Sequence, residues 1–183
     1  MAILKHGALQ PNEWQEVSDD AALPETGNVI VSLDRWRRDE ASLRASNRAI
    51  GVRLQNTQSP LALASDIDRL SLVVLDFPKF SDGRAFSQAR LLRDRLGFTG
   101  EIRATGNVLR DQYLFMTRCG IDAVELPEGT PIEGFLEALS EFSVWYQPAA
   151  DDRTHAMALR RGGKQTGSAS TVVNDSVAAM WAY

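Results

Sequence analysis

The sequence predicts an α/β fold: a single domain with a mainly parallel, open, doubly wound sheet of about five strands. Three observations carry this expectation. Short apolar or β-branched runs alternate with segments of helical period from residue 29 to residue 145. The links between them are short, which favours parallel neighbours joined by right-handed crossovers. Leu72–Phe77 is apolar almost throughout, as expected of a strand covered on both faces. A partial β/α barrel is the alternative, because 183 residues fall short of the roughly 250 of a full eight-stranded barrel.

The elements follow in order. Residues 1–28 read as a polar wrap, with turn signals at Pro11-Asn12, Asp19-Asp20 and Pro24–Gly27 and with Trp14 and Val17 as anchors. Val29–Leu33 is a β-branched run and the first strand. Asp34 then caps a helix through Arg48, with Trp36, Leu43 and Ala45 inside. Gly51–Leu54 is a short second strand. Ser59-Pro60 opens a helix to about Leu70, since proline is tolerated at the first helical position. Leu72–Phe77 is the third strand, stopped by Pro78. Asp82 or Ser81 caps a helix from Arg84 to Leu96, in which Ala85, Ala89, Leu92 and Leu96 recur at helical steps. Gly97 closes it. Glu101–Ala104 is the fourth strand, with Thr105–Asn107 as its exit loop. A helix from Val108 to Arg118 ends at Gly120. Asp122–Leu126 is the fifth strand, and Pro131–Trp145 the last helix, with Phe135, Leu139 and Phe142 on one face. The α/β domain is expected to span 1–147. Residues 148–183 read as a flexible tail, basic and glycine-rich from Arg160, with a terminal docking helix from Val172 to Tyr183.

Composition excludes several classes. The single cysteine, Cys119, permits no internal disulfide and fits a reducing, cytoplasmic setting. One cysteine and two distant histidines, His6 and His155, give no zinc or iron–sulfur ligand set, so no metal is expected. No apolar run approaches the ~20 residues of a membrane span. The net charge of −4 and the lack of a binding motif argue against nucleic acid. No glycine-rich dinucleotide fingerprint, P-loop or serine elbow is present, so no cofactor is expected. Cys119 lies at a helix C-terminus, where the dipole raises a thiol pKa, and it reads as structural.

Charge is unevenly spread. Lys79–Arg118 holds eight basic and four acidic residues, a net of +4, which leaves −8 for the rest of the chain. A cationic block in an acidic protein points to an anionic ligand or an acidic partner. In an open α/β sheet ligands bind beyond the carboxyl ends of the strands. Lys79, Asp82 and Arg84 follow one strand there, and Asn107 and Asp111 follow the next, each beside a helix start that favours anions. Arg103 lies inside a strand and needs an acidic partner if buried; Glu101, Asp111 and Glu125 are candidates. The bland reading stands beside this one: Asp82 caps its helix, Arg84 pairs with a neighbouring carboxylate, and Arg90, Arg93 and Asp94 form a solvated face.

Phe77–Arg93, Gly100–Gln112 and Arg118–Ala123 resemble an uncharacterised bacterial family whose members are commonly encoded beside assimilatory sulfite reductase. The similarity is dense from Val29 to Gln147. Ala85-Phe86 stands where the family has Gly-Tyr, and Asn107 where it has Asp. The resemblance implies an accessory protein of assimilatory sulfate/sulfite reduction. It would bind an oxyanion, or dock to sulfite reductase or its redox partner. Lys79, Arg84, Arg103 and Asn107 would make the contacts, with Asp82 and Asp111 orienting the arginines. A small oxidoreductase that borrows a cofactor or electrons from a partner is the alternative. The oligomeric state is left open.

Overall fold

The computed structural model describes residues 1–151 and 153–162. They fall into two units, residues 1–141 with 149–151, and residues 142–148 with the described part of the remainder. The first unit is built on one eight-stranded sheet. Its strands are β1 (Ala2–Lys5), β2 (Ala8–Gln10), β3 (Trp14–Glu16), β4 (Asn28–Ser32), β5 (Ile50–Leu54), β6 (Leu72–Phe77), β7 (Glu101–Gly106) and β8 (Ala123–Leu126). The order is β2-β1-β8-β7-β6-β5-β4-β3. From β3 to β8 every pair is parallel, while β1 is antiparallel to both β8 and β2.

The doubly wound expectation is corrected by this order. Double winding requires the strand order to reverse partway, which puts helices on both faces. Here β3 to β8 are laid down in sequence without reversal. Right-handed crossovers then place the connections on one face and curl the sheet into a half-barrel. The polar wrap is corrected as well. Residues 1–28 supply three strands of three or four residues, too short for their pattern to stand out, and β2 and β3 are largely exposed as well. They occupy both edges of the sheet, yet only Pro11, Asn12 and Glu13 separate β2 from β3. Four Cα steps reach about 14 Å at most. Seven inter-strand spacings in a flat sheet would need about 34 Å. The link is compatible only with a curled sheet.

The helices are shorter than the sequence periods suggest. Ser32, not Asp34, caps α1 (Leu33–Arg38), its hydroxyl accepting from the Arg35 amide at 3.0 Å. The helix breaks at Asp39 and resumes as α2 (Glu40–Ala45). Trp36 and Leu43 are buried as expected, but Ala45 is exposed. Pro60–Leu63 and Ile67–Arg69 form 3-10 turns in place of one helix. Then come α3 (Arg84–Arg90), α4 (Arg110–Arg118) and α5 (Glu133–Ser140). A π turn, Leu91–Arg95, extends α3 and ends at Gly97, whose φ is +64°. Thr105 and Gly106 belong to β7 and not to its exit loop. In the second unit α6 (Ala156–Gly162) covers the start of the expected basic linker, and Trp145 bridges to His155. The proposed terminal helix lies outside the described residues.

Gly106 marks the end of β7 with φ +94°, and a Cβ there would sit 2.6 Å from the Phe77 carbonyl oxygen. That same oxygen accepts from the Asn107 amide at 2.7 Å, so the strand end cannot move aside cheaply. Gly106→Ala is expected to cost about 1–3 kcal/mol, read as a lower urea midpoint. An unchanged midpoint would mean that this turn relaxes freely.

Candidate functional site

Phe77 packs edge-on against Phe86 of α3, with ring centroids 5.1 Å apart. Residues in step with Phe77 therefore face the helices, and residues in step with Asp76 face the concave side. Across β6 and β7, Val74 pairs with Arg103 and Asp76 with Thr105; across β5 and β6, Arg53 pairs with Val74. A small apolar cluster, Ile30, Leu72 and Val74 with Trp14 against it, fills part of that inner face. Much of the remainder is polar or charged, with Arg53, Asp76, Arg103 and Thr105 in step on that face.

Arg103 is only 3% exposed. Its guanidinium pairs with Glu101 at 2.7 Å and Glu125 at 3.5 Å, and donates to Asn12 Oδ1 at 3.1 Å. Two of the three partners expected for a buried Arg103 are thus present; Asp111 is not among them. Lys5 donates to the second oxygen of Glu101 at 2.6 Å. Burial pushes Glu101 up, but Lys5 and Arg103 together outweigh it and hold the carboxylate below its ordinary range. Thr105 donates to Glu125 at 2.6 Å. This half of the network is closed and satisfied.

The half nearer the carboxyl ends of the strands is open. Arg53 and Asp76 have side chains 29% and 31% exposed. Arg53 Nη1 donates to Glu16, while its Nε lies 3.4 Å from Asp76 Oδ1 without hydrogen-bond geometry. Burial raises the Asp76 pKa; Arg53 opposes the shift and Glu125 adds to it. Arg53 and Asp76 escaped sequence reasoning. The signal was there: each is a charged residue inside an otherwise apolar strand.

The exit loops after β6 and β7 lie on the same edge, since these strands are parallel neighbours. Gln112 Nε2 ties them together by donating to the Phe80 carbonyl at 2.9 Å. Lys79, Asp82, Arg84, Asn107 and Asp111 all stand at this edge, whereas Arg103 lies inside the sheet, in a different environment. Asp82 accepts from the Arg84 amide and from its guanidinium at 2.6 Å, and also from Asn56. The Arg84 hydrogen bonds hold Asp82 down at about 2. Arg84 is thus committed to Asp82 and does not meet Asp111.

The ion pairs also consume most of the cationic surplus. Arg84, Arg90, Arg93, Arg103, Arg110 and Arg118 each have a carboxylate partner. Arg93 is structural rather than solvated: it donates to Gly120 and Gly100 carbonyls and to Asp122. Lys79 and Arg95 form no ion pair among the described residues. The same segment carries an aromatic surface. Phe80 and Phe115 are 61% and 56% exposed, and Phe86 stacks 4.8 Å from Phe115. Phe86, Phe115, Leu91, Arg90 and Asp94 line a hollow of about 450 Å³, with Ser87 and Cys119 completing it. Burial pushes the Cys119 thiol up to about 11, which leaves it inert at neutral pH.

Residues 51–157, more than half of the chain, match the model of a bacterial family of unknown function, DUF934. The chain belongs to this family. No curated protein and no solved structure matches it. The DUF934 span takes in β5 to β8, the exit-loop edge and the aromatic surface. Asn12 and Glu16, which complete the inner network, lie before it. Among the described residues no cluster of histidine, cysteine and carboxylate side chains could hold a metal, and no helix is long and apolar enough to cross a membrane.

Two outcomes test the network. Arg103→Met removes the guanidinium shared by Glu101 and Glu125 and leaves Glu125 with no cationic partner, and is expected to cost about 3–5 kcal/mol of unfolding free energy. A loss under 1 kcal/mol, the scale of an exposed pair, would contradict the burial described. Asp76 behaves oppositely. Its folded pKa lies above its unfolded value, so the native state binds more protons between the two and stability falls as pH rises through that window. Asp76→Asn should therefore match wild type below the carboxylate range and gain on it as pH rises. Urea unfolding at a series of pH values gives the comparison, and parallel profiles would refute it.

Proposed function

We propose that this protein is a non-catalytic accessory factor of assimilatory sulfite reduction, docking to sulfite reductase or its redox partner through the α3–α4 face. The observation that carries the reading is the pair of exposed aromatics Phe80 and Phe115, with the half-buried Phe86 stacked on Phe115, beside an open hollow. Monomeric surfaces seldom leave large aromatic side chains grouped in this way unless they meet a partner. Aromatic residues and arginine are the side chains most often found at the energetic centre of an interface. Lys79, which precedes Phe80, and Arg95, which lies between Phe86 and Phe115 in sequence, supply unspent positive charge. They suit an acidic partner surface and would steer its approach. The π turn on which Leu91 and Asp94 sit supports the reading, since such turns are frequent at functional sites. The link to sulfite reduction comes from the family resemblance in Phe77–Ala123.

Docking fits the edge better than oxyanion capture does. Arg84 is held by Asp82, and Asp82 and Asp111 set negative charge beside both helix starts, which opposes an anion there.

Phe115→Ala should weaken binding to an acidic partner by about 2 kcal/mol or more, as expected of a buried aromatic anchor. Lys79→Glu should slow association and reduce its salt dependence. Calorimetry and stopped-flow mixing with purified sulfite reductase, and with its electron donor, provide the measurement. No heat with either protein, or affinity unchanged in Phe115→Ala, would end this reading.

A further inference from the structure

The docking surface lies on the helix side of the sheet and leaves the concave mouth unused. In curled β/α folds the carboxyl ends of the strands are where ligands are held. Here that end carries charge where the helix side of the same strands is apolar. Replacing well-made buried ion pairs by apolar side chains is often neutral or stabilising, so such a network is weak evidence of a stabilising role. The closed half around Arg103 spends its donors and acceptors internally. The open half does not. Among the described residues Asp76 accepts no hydrogen bond, and Arg53 Nη2 meets no acceptor, although the two side chains stand 3.4 Å apart. Glu16 holds only Nη1 of Arg53, and Glu125 is engaged by Thr105 and Arg103.

We infer that this mouth binds a small zwitterion of the α-amino-acid class, its carboxylate accepting from Arg53 and its ammonium donating to Asp76. The charge count decides the class. Two carboxylates, Glu16 and Asp76, already face the guanidinium of Arg53, while Glu125 is answered by Arg103, so a bare oxyanion at Arg53 meets net repulsion. A bare cation would leave Nη2 of Arg53 without an acceptor. A molecule with both charges a few bonds apart matches the adjacent donor and acceptor. Asp76 is the pivot, because burial and Glu125 disfavour its charge with only Arg53 opposing them, and an ammonium would add a second opposing charge.

The test is a titration of the isotope-labelled full chain followed by NMR. L-Alanine is the zwitterionic probe; sodium acetate and sodium sulfite are the anionic controls. The Arg53 side-chain N–H and the Asp76 carboxyl signals should shift saturably with alanine, at least tenfold more tightly than with acetate or sulfite. Asp76→Asn and Arg53→Gln should each weaken alanine binding at least tenfold. Phe115→Ala should leave it unchanged, which separates this site from the docking face. Overturning results are no shift at either residue with millimolar alanine, or sulfite binding as well as alanine. Equal alanine affinity in a folded Asp76→Asn variant would also overturn the proposal, and the wild-type titration decides even if a variant fails to fold.

Discussion

The three residues Pro11, Asn12 and Glu13 hold this structure to its shape. They carry the chain from one edge of an eight-stranded sheet to the other. A flat sheet of that width cannot accommodate so short a tether, so the curl is imposed by covalent reach and not by packing alone. The curl creates an inside. It brings Lys5 on β1 onto Glu101 on β7, and Asn12 itself onto Arg103, contacts between residues 96 and 91 positions apart. Hydrophobic burial on the helix side then proceeds as in any β/α unit, with Val73, Leu75, Ile102 and Ala104 fully buried.

The inside is where the chain departs from rules that make parallel strands apolar on both faces. Glu101, Arg103, Thr105 and Glu125 are satisfied by one another, and such a set specifies geometry more than it adds stability. Arg53 and Asp76 extend the same belt toward solvent and remain incompletely paired. The helix side ends in the aromatic set on α3 and α4. The two faces of one sheet thus present different chemistries, one charged and partly open, the other aromatic.

Much of the frame was legible in the sequence. Five strands and the core of α3, α4 and α5 follow from apolar runs and helical spacing, because burial demands those patterns. Gly97 and Gly120 were readable as helix ends, and both adopt positive φ. What escaped detection was non-local. β1 to β3 gain their identity from edges supplied by distant residues, and three-residue strands carry too little pattern to declare themselves. The winding could not be read because strand order is not a local property; the barrel alternative had only chain length behind it. At the site, Arg103 was flagged by its position within a strand, and the same argument applied to Arg53 and Asp76 would have found the open mouth. The charge surplus of the exit loops and the helices after them is largely spent on ion pairs.

The contact between Asn12 and Arg103 tests the account most directly, because it exists only if the tether crosses the concave face of a curled sheet. An isotope-edited nuclear Overhauser spectrum of the full chain would report it. The account predicts cross-peaks between the Asn12 β-protons and the Arg103 δ-protons, together with peaks linking the Lys5 side chain to Glu101. A spectrum in which Asn12 sees only its neighbours in β2 and β3, and Arg103 only those in β6 and β8, would contradict the half-barrel and the charged interior that depends on it.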